Sequence, residues 1–211
     1  MRAHTVGPPD PGGGVCFDLQ WGGLHVHAHR VAGVTVGISY ESLDADVRKC
    51  MLGELQRDIA NGSLYMGKRL TEEGRDQWPD LLREAIANHD DNWLANELRT
   101  RQLVKAREER RRNGKVTFAK IPVTAPDTLA EGEFNRFYAR GLCLDVLNTG
   151  GTEVEVYRGK AVSRARSQSV AMIGQVVPAV ALLDDLRTSP GMDTALGLPP
   201  GPNSGLTVRR A

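Results

Sequence analysis

At 211 residues, with 40% apolar and 25% charged residues, the chain has the composition of an ordinary globular protein with room for one ample core or two small ones. Lys and Arg (27) nearly balance Asp and Glu (26), which excludes a wholesale polyanion binder and makes any nucleic-acid contact a local one. The 3 cysteines, Cys16, Cys50 and Cys143, are scattered without a C-x-x-C pair, which excludes a disulfide framework and fits a reducing compartment.

Residues 1–14, MRAHTVGPPDPGGG, lack the apolar core of a secretory signal and read as an extended Pro/Gly-rich arm. VCFDLQW, Gly22-Gly23 and LHVHAHRV then read as two short strands around a Gly-Gly turn, with VTVGISY as a third. In LHVHAHRV, His25, His27 and His29 alternate, so a strand places all three imidazoles on one face. That spacing can chelate a transition metal if a carboxylate or another His joins it. The alternative is a polar hairpin face.

Asp44 can cap a first helix, with Val47, Met51, Leu55 and Ile59 at i+4 and Asn61-Gly62 as its stop. Gly62 to Lys68 fits G-x-x-x-x-G-K, but Arg69 stands where Mg²⁺ chemistry needs Ser or Thr. The strand–loop–helix context is absent as well, so the match carries no nucleotide site. Pro79 reads as a first-turn residue of a second helix. Asp90 or Asp91 reads as the cap of a third, which begins Trp93, Leu94 and Leu98 and continues into a charged rod ended by Asn113-Gly114.

That rod is the most uneven part of the chain. From Arg99 to Lys115, eight of seventeen residues are Arg or Lys and two are Glu, a local balance of +6 against +1 for the whole. The candidate contacts for an anionic partner are Arg99, Arg101, Lys105, Arg107, Arg110, Arg111, Arg112 and Lys115, with Arg164 and Arg166 from a second basic segment. Three uses are open: neutralising duplex phosphates non-specifically, docking on an acidic protein surface, or a solvated helix end. Trp93, Leu94 and Ala95 stand where a recognition helix would read bases, which argues against sequence-specific reading.

KVTFAKIPVTAP reads as an extended connector, and Thr128-x-x-Glu131 as a capping box opening a helix to Asn148. Phe134, Phe137, Tyr138, Leu142, Val146 and Leu147 form its apolar surface. TEVEVYRG alternates as a half-buried strand with Val154 and Val156 inward. Pro178 can start a last helix with Leu182, Leu183 and Leu186. The stretch Val170 to Leu183, interrupted by Gln175 and Pro178, is too short to cross a bilayer.

The expected fold class is α+β: N-terminal short strands, central helices with a projecting basic helix, a C-terminal helix–strand–helix unit and Pro/Gly-rich arms at both ends. The expected organisation is an arm at 1–14, a hairpin-plus-helical domain at 15–115, a second domain at 116–188 and an extended arm at 189–211.

TLAEGEFNRFYARGLCLDVL, the following VEVYRGKAV and the closing GLPPGPNSGLTVRR resemble uncharacterised proteins encoded among tailed-phage and prophage genes, over roughly residues 120–211. The resemblance implies a virion or assembly role: a capsid, decoration or head–tail connector protein. Its partners would be copies of itself and other virion proteins, with packaged double-stranded DNA, met non-specifically, as a further candidate. No membrane and no cofactor are implied, and no functional residue is carried over. The expected site is the virion, assembled in the host cytoplasm. The alternatives are a cytosolic DNA-associated regulator using 99–115 and a metal-dependent enzyme using the His25/His27/His29 face.

Overall fold

The computed structural model describes residues 37–112, 114–189 and 204–211. In chain order these form α1 (Ala45–Ala60), α2 (Glu72–Asn88), α3 (Asp91–Thr100), β1 (Arg107–Arg112), β2 (Lys115–Lys120), α4 (Ala125–Asn148), β3 (Glu153–Arg158), α5 (Ser167–Ala171), β4 (Val176–Pro178), α6 (Ala179–Thr188) and β5 (Leu206–Arg210). The class is α+β. Among the described residues the helices are accompanied by two small antiparallel sheets, a β1–β2 pair and a three-stranded sheet ordered β4–β3–β5. The N-terminal arm and most of the expected N-terminal strands lie outside the described residues. Of VTVGISY only 37–40 is described, and it carries no strand.

Helix α4 is the centre of the body. Ala130, Phe134, Phe137, Tyr138, Leu142 and Cys143 are fully buried, and polar positions on its other sides, Glu133, Arg136 and Arg140, are buried too. Helices α1, α3 and α6 pack around it. Gly141 permits a close approach of α1, because a Cβ there would stand 2.4 Å from Met51 Cγ and 2.9 Å from the Met51 backbone nitrogen. Buried side chains on both sides of 116–127 join one cluster, from Val47 and Trp78 through Phe134 to Leu183 and Val208.

The helix ends show why the chain turns where it does. Asp44 and Asp90 cap α1 and α3, accepting from Val47 N at 3.0 Å and Trp93 N at 2.9 Å. Asn61 closes α1 and Gly62 follows at φ +64°. Helix α2 corrects the Pro79 reading. Thr71 caps it, accepting from Gly74 N at 2.9 Å, so Pro79 lies inside the helix, not in its first turn. The burial of Trp78, Leu81 and Leu82 beside Pro79 outweighs the one backbone bond the proline forfeits. Helix α4 starts one turn before Thr128, with Pro126 in its first turn. Thr128 Oγ1 donates to Thr124 O at 3.0 Å instead of capping.

The largest correction concerns the basic rod. Helix α3 stops at Thr100. Gln102 adopts φ 55°, Gln102 N donates to Arg99 O at 3.0 Å and Leu103 N to Leu98 O at 3.0 Å. This left-handed C-terminal closure turns Leu103, fully buried, into the core. The chain then leaves as a hairpin rather than a helix.

Strand β3 places Val154 and Val156 inward, as its alternation predicts, and Pro178 precedes α6. The end of the expected C-terminal arm is a strand of this chain: β5 pairs antiparallel with β3, Val156 opposite Val208. Arg209 bonds Glu155 at 2.7 Å and Glu41 at 2.9 Å, and Arg210 reaches Asp145 and Asp44, each at 2.8 Å. The segment 37–44 is pinned from the other side. Tyr157 Oη donates to Ser39 O at 2.6 Å and accepts from Glu41 N at 2.8 Å, and Tyr40 packs between Phe134 and Tyr138.

Candidate functional site, an exposed basic hairpin

An Asn-Gly pair between two chain segments is the strongest short-range hairpin signal, and the segment RRRNGKV carries it. Arg112 pairs with Lys115, and Gly114 takes φ +73°, the left-handed value that a tight link requires. The register sets Arg107 opposite Lys120, Glu109 opposite Phe118 and Arg111 opposite Val116 on one face. Glu108 opposite Ala119 and Arg110 opposite Thr117 fall on the other.

The base of the hairpin is anchored. Lys105 N donates to Arg69 O at 2.9 Å, Leu70 and Val104 form a bridge, and Ile121 N donates to Ala106 O at 3.0 Å. Arg69 Nε holds Glu108 Oε2 at 2.9 Å. Beyond that point, among the described residues, the strands pack extensively only on each other. Lys115 to Phe118 are exposed throughout, Phe118 at 66% and Val116 at 51%. Arg69 and then Arg110, hydrogen-bonded to the Glu108 carboxylate, hold its pKa down at about 2, so it stays ionised in any physiological medium. Arg111 Nε takes Glu109 at 2.8 Å. Both hairpin acids are thus engaged by arginines, while Arg107, Lys115 and Lys120 have no carboxylate partner among the described residues.

The structure separates the residues that the sequence grouped. Arg107, Arg110, Arg111, Arg112 and Lys115 share the hairpin. Lys105 lies at its foot. Arg99 and Arg101 belong to the end of α3 and are engaged there, Arg99 with Asp127 of α4, Arg101 with Glu97 at 2.6 Å and with Gln77 at 3.2 Å. Arg164 and Arg166 sit on the connection from β3 to α5. Lys160 of that segment is neutralised by Glu131. His25, His27 and His29 lie outside the described residues. Among the described residues no group of three His, Cys, Asp or Glu could hold a metal. No helix among them is long and apolar enough to cross a membrane.

Two further arrangements went unread in the sequence. The first is a buried charge network. Arg140 donates through Nε to Glu54 at 2.7 Å and through Nη1 and Nη2 to Asp58 at 2.6 and 2.8 Å. Arg187 of α6 donates to Glu54 at 3.0 Å. Burial alone would raise the Glu54 carboxyl, but the Arg187 hydrogen bond and the Arg140 charge outweigh it and hold it below its ordinary value. Next to this, Glu133 and Arg136 approach to 3.0 Å, and burial pushes Glu133 up to about 7. The available signal was Glu54 and Asp58, two carboxylates at i, i+4 alongside the apolar row Met51, Leu55 and Ile59. The second is a groove of about 560 Å³ lined by Tyr40, Leu43, Arg48, His89, Asp90 and Trp93, among others. His89 stacks on Trp93 at 4.3 Å, and Arg48 donates to the α2 terminus at Ile86 O and His89 O, serving as a helix end cap.

Of these three, the interior network joins α1, α4 and α6, and the groove's one guanidinium is spent on α2. The hairpin presents cations without a carboxylate partner among the described residues together with the exposed Val116 and Phe118. No family model, no curated protein and no solved structure matches the chain.

Proposed function

We propose that the chain is a non-enzymatic assembly subunit, of the tailed-phage virion type that its C-terminal half resembles, and that it works by inserting the hairpin 107–120 into a partner. One observation carries this reading: a two-stranded ribbon, exposed along most of its length, whose extensive packing among the described residues is of its two strands on each other. An isolated ribbon of this kind is marginal in water, and a partner would bury the exposed Phe118. An aromatic side chain rimmed by arginines is also the composition of protein–protein hot spots.

Replacing 107–120 by a short Gly-Ser link tests the reading. The variant is expected to fold, by circular dichroism and urea titration, and to be lost from oligomers and from purified particles. A variant that assembles as well as the parent chain overturns the proposal.

The positive balance of the hairpin favours one second reading, non-specific contact with duplex phosphates. It predicts binding that weakens with salt by a log–log slope of about −0.9 for each phosphate neutralised. Val116 and Phe118 would gain nothing from such a contact, which favours the protein partner. Absence of a mobility shift at low salt dismisses the DNA reading.

A further inference from the structure

We propose that the hairpin's partner is a second copy of this chain, docked along the outward face of its helix α2; the inference rests on the assembly reading and names its partner.

Helix α2 buries Gly74, Trp78, Leu81, Leu82, Ala85 and Ile86 on one side. At 100° per residue, Glu72, Asp76, Asp80, Glu73 and Glu84 fall within about 120° of the opposite side. All five are exposed. Glu72 and Asp76 have no partner among the described residues. Asp80 is met by Arg83, Glu73 by Gln77 at 2.9 Å and Glu84 by Asn88 at 3.0 Å. The partly exposed Ala87 lies on this arc beside Arg83, and the partly exposed Pro79 borders it; the two offer Phe118 and Val116 an apolar seat.

The two surfaces match in charge and in length. The hairpin carries six cations, Arg107, Arg110, Arg111, Arg112, Lys115 and Lys120, against Glu108 and Glu109. The acidic row from Glu72 to Glu84 runs about 18 Å at 1.5 Å per residue. A six-residue strand spans about 20 Å. Among the described residues β1 and β2 have no extensive packing on α2 of their own chain. Each copy therefore offers both halves of a contact that takes two copies to make. Complementary charge sets orientation and rate, and the apolar centre supplies the affinity.

The test is a charge exchange on the full-length chain, followed by sedimentation at low and high salt. Arg107→Glu/Lys115→Glu/Lys120→Glu and Glu72→Lys/Asp76→Lys/Asp80→Lys are each expected to abolish self-association while keeping the helical spectrum. An equimolar mixture of the two variants is expected to associate, because each then supplies what the other lacks. The chain carrying both reversals is expected to self-associate again. Phe118→Ser is expected to weaken association about tenfold. A parent chain that stays monomeric at low salt, an α2 reversal without effect, or a mixture that fails to associate overturns the proposal. Suppose the Gly-Ser link variant is lost from particles but the α2 reversal is retained. Then the hairpin grips a different partner, the assembly reading stands and this inference falls.

Discussion

Arg140 and Arg111 are the same residue type in opposite surroundings. Arg140 is fully buried, with both faces of its guanidinium fork filled by Glu54 and Asp58. Arg111 stands in solvent on the hairpin, held by a neighbour two residues away. In the body, charge is structural: once one partner is removed, the other is a buried ion without compensation. On the hairpin the same pairing contributes little, because water screens it and can replace it. A count of basic residues therefore says nothing about which are available to a partner. Arg99 and Arg101, at the head of the charged block, are paired at the surface with Asp127 and Glu97, and on the hairpin Arg110 and Arg111 hold Glu108 and Glu109, whereas Arg107, Lys115 and Lys120 have no carboxylate partner among the described residues.

The comparison is broken most readily from the inside. Arg140→Ala strips the buried Asp58 carboxylate of its two-pronged partner and leaves Glu54 with Arg187 alone, and is expected to cost about 3–5 kcal/mol in urea titration. A loss below about 1 kcal/mol would mean the network is not structural. Gly141→Ala sets a methyl against the Met51 backbone and is expected to cost about 1–3 kcal/mol, from overpacking between α1 and α4.

The pH dependence sharpens the same contrast. Burial raises Asp91 to about 6 and Glu133 to about 7, so across the window from about 4 to 7 the unfolded chain has lost protons that the folded chain keeps. Their contribution is fully present below the unfolded pKa and is lost as pH rises through the folded values. Asp91→Asn removes one of the two. Its stability relative to the parent is expected to improve between pH 4 and pH 6 by on the order of 2 kcal/mol, measured by denaturation at fixed pH steps. Gln102→Gly relieves the left-handed closure of α3 and is expected to add about 1 kcal/mol to stability. Smallest of all, Arg110→Ser/Arg111→Ser is expected to leave the unfolding midpoint unchanged within about 0.5 kcal/mol while weakening assembly. A larger loss would mean that the hairpin belongs to the body.

Local chemistry made part of this fold legible. Asp44 and Asp90 announce helix starts because a short acceptor side chain meets amides that have no other partner. Glu153 to Tyr157 announces a strand because one face is wet and the other buried. The basic block was misread because a charge run lacks the apolar period that separates helix from strand, and Asn113-Gly114 serves as a stop for one and a link for the other. The hairpin was legible only in that dipeptide. The interior network was not legible at all. Arg136 and Arg140 look like solvent positions until α4 is seen to be buried around nearly its whole circumference. Phe118, absent from the basic block in the linear order, becomes part of it only when the chain folds back.

The strand β5 has a consequence for how the chain reaches this state. Its residues pair with partners about fifty positions earlier in β3, and Arg209 and Arg210 reach Glu41, Ser42 and Asp44, which lie nearly the whole chain away. The loop that must close before these bonds form is among the longest the chain can make, so the closure is entropically late. Helices α1 to α4 can gather through nearer neighbours, whereas the three-stranded sheet cannot be complete until 206–210 arrives. Until then β3 offers an open edge, in a protein whose hairpin already offers two. The refolding of this chain is expected to show a slow phase that tracks β5, sensitive to Val208 and indifferent to the hairpin.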